Sequence, residues 1–190
     1  MQGSFQEHLD VLRKIGAEVF EIRLPDQLQD IHGLIIPGGE STTIGKLLVD
    51  YELLNPIRNF GREKAIWGTC AGAILLSKDA QRNQPLLELM NITVDRNAFG
   101  RQISSFETVL DIPVLNKISP GSTDFPGIFI RAPLINSISG EAQALSALPD
   151  GRIVAAQEKH FLATAFHPEL TDDDRLHRYF LHLVQLSMSN

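Results

Sequence analysis

The lone cysteine of the chain lies in a glycine-flanked segment that could form a nucleophilic site. Gly68 and Gly72 flank Cys70 at a G-x-C-x-G spacing, directly after the apolar run Ala65-Ile66-Trp67. This pattern predicts a buried strand that turns sharply into a helix and pushes the cysteine side chain out above the sheet. The start of a helix favours the thiolate, and adjacent backbone N–H groups can hold an oxyanion. The alternative is a buried core cysteine.

A histidine and an acid stand at a second predicted strand end. His167 follows the apolar strand Phe161 to Ala165, and Glu169 lies two residues later. Sites in α/β folds form just past strand ends, and this spacing lets a carboxylate orient the imidazole. With Cys70 these residues outline a thiolate triad, although an ordinary loop histidine is the alternative. The remaining histidines lack a comparable setting; they are His8, His32, His160, His177 and His182.

A third candidate is the turn Pro37-Gly38-Gly39-Glu40-Ser41, between a predicted strand and a predicted helix. Backbone N–H groups in such a turn suit an anion or an oxyanion. It is not a phosphate-binding P-loop, because no Gly-Lys-Ser/Thr follows at the required spacing. The alternative is a tight turn with Ser41 as the helix N-cap. One cysteine and scattered histidines give no metal-ligand cluster, so we expect no metal and no cofactor.

Apolar periodicity indicates the elements that must position these residues. The predicted helices run from about Glu7 to Ile15, Thr42 to Tyr51, Asn55 to Arg62 and Ala71 to Ser77, followed by a last helix capped by Thr171 with Asp172, Asp173 and Asp174 in its first turn. The predicted strands are Glu18 to Arg23, Gly33 to Ile36, Ala65 to Gly68, Asn91 to Val94 and Ser104 to Leu110 (joined by a Gly100 turn), Gly127 to Ile130, and a hairpin of Ile153 to Gln157 with Phe161 to Ala165. Strand–helix alternation at both ends predicts an α/β fold, a mostly parallel sheet flanked by helices on both faces, with a small antiparallel addition.

The composition is that of a globular protein and excludes several classes. The chain has 190 residues, 43% hydrophobic and 21% charged, which is enough for one domain over residues 1–190. A net charge of −6 without any Lys/Arg run argues against nucleic acid as a partner. A single cysteine fits a reducing compartment. No apolar run approaches the roughly 20 residues of a membrane span, and the first residues lack a signal-peptide pattern, so we expect a cytoplasmic protein with no membrane partner.

Together these segments resemble the triad (class I) glutamine amidotransferases, and more closely the glutaminase subunits of pyridoxal phosphate synthases. G-x-C-x-G with a later His-Pro-Glu is typical of the superfamily. Three stretches are more specific to the subfamily: Pro37-Gly38-Gly39-Glu40-Ser41-Thr42-Thr43, Arg96-Asn97-Ala98-Phe99-Gly100-Arg101-Gln102 and Phe129-Ile130-Arg131-Ala132-Pro133. The resemblance covers nearly the whole chain and implies a flavodoxin-like fold.

The resemblance also implies roles for the matching residues. Cys70 would be the nucleophile, His167 the general acid/base and Glu169 its orienter. The backbone N–H groups of Gly39 and Ala71 would hold the oxyanion. The residues that would bind the substrate L-glutamine are Gly39, Glu40, Ser41, Arg96, Ile130 and Arg131. The ammonia released would pass to a synthase subunit that builds pyridoxal phosphate (vitamin B6), within a large hetero-oligomer.

One departure from the family concerns the first strand. Family members begin with an apolar strand that runs into a Gln-Gly turn, whereas here Met1 directly precedes Gln2-Gly3. We therefore expect either a true start further upstream or a shortened chain that lacks an interior strand. Two other functions stay open: another triad amidotransferase or related cysteine hydrolase, and an inactive partner or regulatory subunit. The Arg-Asn-x-Phe-Gly-Arg-Gln stretch argues against the first, and the intact triad residues argue against the second.

Overall fold

Residues 4–96 and 105–189 are described by the structure, a computed structural model. Within these ranges the helices are α1 (Phe5–Lys14), α2 (Ser41–Asp50), α3 (Leu54–Phe60), α4 (Ala71–Leu76) and α5 (Arg175–Met188). The strands are β1 (Gly33–Ile36), β2 (Ala65–Thr69), β3 (Ser77–Asp79), β4 (Met90–Asp95), β5 (Ser105–Asp111), β6 (Asp124–Ile130), β7 (Leu134–Ile138), β8 (Gln143–Ala147), β9 (Ile153–Glu158) and β10 (Phe161–Thr164). Short 3-10 helices cover Pro25–Leu28, Pro113–Lys117 and Pro168–Leu170.

The main sheet is built on a parallel block that holds the candidate site. Eight strands run in the order β1-β2-β10-β9-β7-β4-β3, with β8 paired to β9. β1, β2 and β10 are parallel to one another, and so are β3 and β4, whereas the β10–β9, β9–β7 and β7–β4 pairs are antiparallel. β5 and β6 form a separate two-stranded antiparallel ribbon. The predicted class, an α/β sheet flanked by helices with an antiparallel addition, is confirmed.

The core lies on both faces of this sheet. Successive residues of a strand point to opposite faces, and in β2 Ile66 packs with α2, α3 and α4 while Trp67 packs with α5 and the β5–β6 ribbon. The last helix packs one apolar stripe against the sheet, and its periodicity is already visible in the sequence. These side chains are all buried: Leu176, Tyr179, Phe180, Leu183 and Val184. Within the described ranges, no helix is long and apolar enough to cross a membrane.

The strand predicted from Glu18 to Arg23 is wrong, because residues 17–23 form no strand pairing. A strand is stable only beside a neighbour that completes its hydrogen bonds. Among the described residues β1, the first strand of the sheet order, pairs only with β2. Residues 17–22 and β1 instead line one cavity of about 590 Å³, together with apolar side chains of α1 and α5. This segment therefore has the composition of a strand but lacks a neighbouring strand, within the described ranges, with which to pair.

Two predicted helix caps also need correction, and one predicted turn stays untested. The last helix starts at Arg175 with Asp174 as its N-cap, so Thr171 is not the cap and the three aspartates precede the helix. The cap of α2 is Glu40 rather than Ser41, because the longer side chain reaches the first free N–H groups of the helix. The Gly100 turn lies outside the described residues. The strands on either side of it are not paired with each other, since β4 pairs with β3 and β7, and β5 pairs with β6.

Two glycines let α4 approach the parallel strands closely. A Cβ atom on Gly72 would lie 1.9 Å from the carbonyl oxygen of Ile36 at the end of β1. A Cβ atom on Gly68 would lie 2.4 Å from the carbonyl group of Gly72. Any side chain at either position would overlap backbone atoms, so both glycines are needed for the sharp turn from β2 into α4.

We expect Gly72→Ala to lower the free energy of unfolding by more than about 3 kcal/mol, because the helix must move away from β1 to admit the methyl group. Urea denaturation measures this loss. Gly151→Ala is the matched control, since nothing lies within 4 Å of its Cβ position. Its positive φ of 86° makes a cost of about 1 kcal/mol the expected result. Similar losses for the two variants would contradict the close-approach argument.

Candidate active site

Cys70 occupies a strained turn between β2 and α4. Its backbone angles are φ 49° and ψ −106°, a combination that residues with a Cβ atom rarely adopt and that costs on the order of 1–3 kcal/mol. The Cys70 N–H donates to the carbonyl oxygen of Thr164 at 2.8 Å, which ties the turn to the end of β10. The side chain is buried, and α4 begins at the next residue. This is the strained strand-to-helix turn that the sequence predicted.

His167 lies between Cys70 and Glu169 and interacts with both. Its Nδ1 atom is 2.7 Å from Glu169 Oε1, and the Cys70 side chain also lies close enough to its ring to affect the pKa of the histidine. Burial lowers the pKa of His167, but the hydrogen bonds and charges of Cys70 and Glu169 outweigh it and raise that pKa to about 10. At neutral pH the ring is therefore an imidazolium facing a cysteine, which is the charge arrangement of an activated thiolate.

Gly38 brings the turn after β1 against both reactive side chains. A Cβ atom there would lie 2.5 Å from Cε1 of the His167 ring and 3.3 Å from the Cβ atom of Cys70. The next residue, Gly39, has a φ of 153°, a region that favours glycine. The Gly-Gly turn therefore passes directly over the Cys70–His167 pair, within reach of a substrate bound there.

Glu40 fixes the start of α2 and holds Arg96. Its carboxylate accepts hydrogen bonds from the backbone N–H of Thr43 at 2.7 Å and from the hydroxyl groups of Thr42 and Thr43. Arg96 Nη2 lies 2.5 Å from Glu40 Oε1. The Thr42 side-chain hydrogen bond is the largest cause that lowers the pKa of Glu40, to about 2, so the carboxylate is ionised at neutral pH. Two predicted glutamine-binding residues are thus brought together as an ion pair.

The remaining predicted binding residues lie in α2 and at the end of β6. Ser41 is buried in the first turn of α2, and its hydroxyl donates to Gln84 Oε1 at 3.2 Å. The backbone N–H of His167 donates to the carbonyl oxygen of Ile128 at 2.8 Å, which joins the loop that carries the histidine to β6. Ile130 ends β6 with a partly exposed side chain, and Arg131 follows it at a positive φ of 44°.

Some predicted segments cannot be placed. Residues 97–102 of the Arg96–Gln102 stretch lie outside the described residues, and so do residues 1–3 with the Gln2-Gly3 pair. Among the residues that are described, no group of three or more His, Cys, Asp or Glu side chains could hold a metal ion.

Sequence reasoning missed two histidines beside this site. His8 in α1 and His177 in α5 are buried and contact each other, and His8 also lies near Glu169. A signal was available. His8 precedes Leu12 by one helical turn, and His177 precedes Phe180 in the same way, so both histidines stand on the apolar face of a predicted helix.

The fold is that of a glutamine amidotransferase. A solved structure described as a crystal structure of glutamine amidotransferase superimposes with a TM-score of 0.89 at 42% identity, covering 97% of this chain and 95% of that one. A structure described as PurLQS from Thermotoga maritima has a TM-score of 0.66 and covers 93% of this chain and 91% of that one. At 16% identity, that second likeness shows the fold alone.

The chain belongs to the SNO glutamine amidotransferase family, which matches residues 1–186. Its relatives include a protein named pyridoxal 5'-phosphate synthase subunit PdxT from Chloroflexus aurantiacus, 54% identical over 188 residues that cover 96% of each chain. The protein of the same name from Herpetosiphon aurantiacus is 53% identical over the same length and coverage. The resemblance seen in the motifs is therefore confirmed.

We expect His167→Asn to slow alkylation of Cys70 by iodoacetamide about 10- to 30-fold at pH 7, because an unpaired thiol is only a few per cent ionised there. The difference should disappear as the pH rises above about 9.5, where an ordinary thiol is itself ionised. Cys70 is the one cysteine of the sequence, so total labelling reports on it directly. The exposed His32→Asn change is the control, and equal rates for all three proteins at pH 7 would refute the imidazolium–thiolate pair.

Proposed function

We propose that this chain is a single glutaminase domain that hydrolyses L-glutamine to L-glutamate and ammonia. The observation that carries the proposal is the strained Cys70 held beside a His167 ring that Glu169 orients at 2.7 Å. Membership of the SNO glutamine amidotransferase family supports the choice of amide substrate. The two core clusters on opposite faces of one sheet support a single domain.

The reaction proceeds through a glutamyl thioester. The Cys70 thiolate attacks the side-chain amide carbon of glutamine, and the His167 imidazolium protonates the leaving nitrogen, so that ammonia departs. The neutral His167 then takes a proton from water, and the resulting hydroxide attacks the thioester to release glutamate and restore the thiolate. Glu169 keeps the ring oriented and stabilises its positive charge in both steps.

Each tetrahedral intermediate carries a negative oxygen that needs hydrogen-bond donors. The backbone N–H of Ala71, directly after the nucleophile, and that of Gly39, in the turn above it, are the donors we assign. Preorganised backbone donors of this kind contribute on the order of 3–4 kcal/mol each to transition-state stabilisation. The strained backbone of Cys70 keeps the first of them next to the thiol.

Glutamine carries both an α-carboxylate and an α-ammonium group, and the predicted binding residues can take both charges. Arg96 or Arg131 would hold the carboxylate through a charge-assisted fork. Gly39, Glu40, Ser41 and Ile130 would complete the site. Because Glu40 is ionised and accepts hydrogen bonds from Thr42 and Thr43, its carboxylate holds the Arg96 guanidinium in one position beside the turn.

The ammonia passes to a partner subunit of a pyridoxal 5'-phosphate synthase, within a hetero-oligomer that makes vitamin B6. The relatives named as PdxT subunits of that synthase support this assignment at 53–54% identity. We place the reaction in the cytoplasm, since the nucleophile is a cysteine that must stay reduced.

The test is ammonia release from glutamine by the purified chain, with and without the matching synthase subunit, and also by a chain restarted upstream. We expect the complex to release ammonia and glutamate from glutamine in equal amounts. Release from the longer chain only would show that additional N-terminal residues are required. No release from either folded, complexed chain would overturn the proposed function and favour an inactive partner subunit.

We expect Cys70→Ala to abolish glutamine hydrolysis while the chain still binds the synthase subunit. His167→Asn should lose nearly as much, because base and nucleophile act as a unit. The single-turnover rate of glutamate formation in the complex and co-elution of the two subunits measure these effects. Hydrolysis retained by pure Cys70→Ala protein, or only a several-fold loss with His167→Asn, contradicts the assigned roles.

We expect Arg96→Lys to raise the KM for glutamine about tenfold or more and to change kcat much less, because lysine keeps the charge but loses the two-pronged geometry. Steady-state kinetics of the complex separate the two constants. The exposed Arg62→Lys is the matched control and should leave both unchanged. A fall in kcat at constant KM would remove Arg96 from glutamine binding.

A further inference from the structure

Two histidines that the proposed reaction does not use form a buried chain of contacts to the triad acid. His177 Nε2 in α5 lies 2.9 Å from His8 Nδ1 in α1. His8 Nε2 lies 3.2 Å from Thr69 Oγ1 and 3.4 Å from Glu169 Oε2. The side chains of His8 and Glu169 are 4% and 0% exposed, so water does not compete freely for these contacts.

The positions of the protons along this series of contacts follow from the surroundings of the atoms at its two ends. At one end, His177 Nδ1 is buried without a hydrogen-bond partner among the described residues. A bare ring nitrogen with a lone pair is tolerated there more easily than an N–H, whose burial without an acceptor costs a full desolvation penalty. His177 therefore carries its proton on Nε2 and donates it to His8 Nδ1. A neutral His8 must then carry its own proton on Nε2, facing Thr69 and Glu169.

Both rings are neutral in this environment. Burial is the largest cause that lowers the pKa of His8 well below its usual value, and the proximity of His177 and His167, which disfavours a second positive charge, lowers it further. Burial likewise lowers the pKa of His177 to about 4, against the opposing charge of Asp174. Trp67 holds both rings in place, with ring centroids 5.6 Å from His8 and 5.0 Å from His177.

At the other end of this series of contacts, Oε2 of Glu169 lacks a hydrogen-bond donor within the part of the chain that the structure describes. Glu169 uses Oε1 for His167, whereas Oε2 is buried and has no well-aligned hydrogen bond among the described residues. His8 Nε2 lies 3.4 Å from this oxygen, so its N–H is positioned to supply the missing donor when the contact shortens. Catalytic hydrogen bonds are often long in a free enzyme and shorten when the substrate is bound.

We infer that His8 is a positioning residue for the glutaminase reaction, donating its Nε2–H to Glu169 Oε2 and thereby fixing the plane of the carboxylate that orients His167. His177 acts one step further away and fixes the tautomer of His8. A carboxylate held at one oxygen only can rotate about its last bond and carry the imidazole with it. Held at both oxygens, it gives the ring a single orientation. This inference rests on the proposed function.

The sharpest test compares two amides at position 8 in the complex with the synthase subunit. His8→Gln places an amide N–H near the former Nε2 position and should keep kcat within about threefold. His8→Asn reaches only the former Nδ1 position and should lower kcat about 10- to 100-fold with little change in KM, the loss of one hydrogen bond to a charged group. Equal losses for the two variants would show a packing role and overturn the inference.

A double-substitution cycle asks whether His8 acts through Glu169. In a Glu169→Ala background the His8→Asn change should alter kcat by less than about twofold, because the oxygen it serves is gone. A loss as large as that in the parent chain would overturn the inference. Half-buried His160, which hydrogen-bonds to the Gly61 carbonyl instead, supplies the control substitution His160→Asn, whose effect should be the same in both backgrounds.

Two further measurements do not depend on glutamine hydrolysis. In the unsubstituted protein, ¹⁵N NMR of the imidazole groups should show both His8 and His177 protonated on Nε2. A proton on His8 Nδ1 would leave nothing to donate to Glu169 and would overturn the inference without any variant. Iodoacetamide labelling of Cys70 at pH 7 should slow several-fold in His8→Asn but not in His8→Gln. If these results hold while the parent complex releases no ammonia, the proposed function fails, whereas the hydrogen bond from His8 to Glu169 stands.

Discussion

The contact between Gly72 and the Ile36 carbonyl sets the geometry on which the candidate site depends. Because the backbone of α4 touches the end of β1 there, the chain must turn within one residue after β2, and that residue is Cys70 at φ 49°. The strain at Cys70 is sustained by its bond to Thr164 and by the packing of α4 on the sheet. The buried, sharply turned backbone therefore places the sulfur atom of Cys70 at the end of the parallel strands β1, β2 and β10.

Electrostatics at the site are governed by three ionisable groups that share one buried volume. Burial alone would leave His167 neutral, and only the adjacent Cys70 and Glu169 hold its proton. The charge of the His167 ring therefore depends on both of its neighbours. Outside this group, the neutral rings of His8 and His177 add dipoles without adding charge, so His8 can lie beside Glu169 without cancelling the effect of the carboxylate on the imidazolium.

Local sequence features predicted most of the site, because each depends on residues a few positions apart. The G-x-C-x-G spacing was sufficient to predict a strained Cys70, and the His-Pro-Glu run was sufficient to predict the contact of Glu169 with its neighbour. Features that depend on distant partners were not predicted. Residues 18–23 have the composition of a strand but no strand beside them, and His8 pairs with His177 across 169 positions of the chain. Caps were misplaced because several polar residues compete at each helix start, as Thr171 and Asp174 do.

The open side of β1 has a practical consequence for work in solution. Among the described residues Gly33–Ile36 pairs on one side only, and its other side borders an apolar cavity. A strand of another molecule can add to a sheet edge that lacks a neighbouring strand, so self-association through β1 is the interaction to test for in concentrated samples. Rates and titration curves therefore refer to a defined species only when they are independent of protein concentration. Light scattering across the working range is the corresponding check on sample quality.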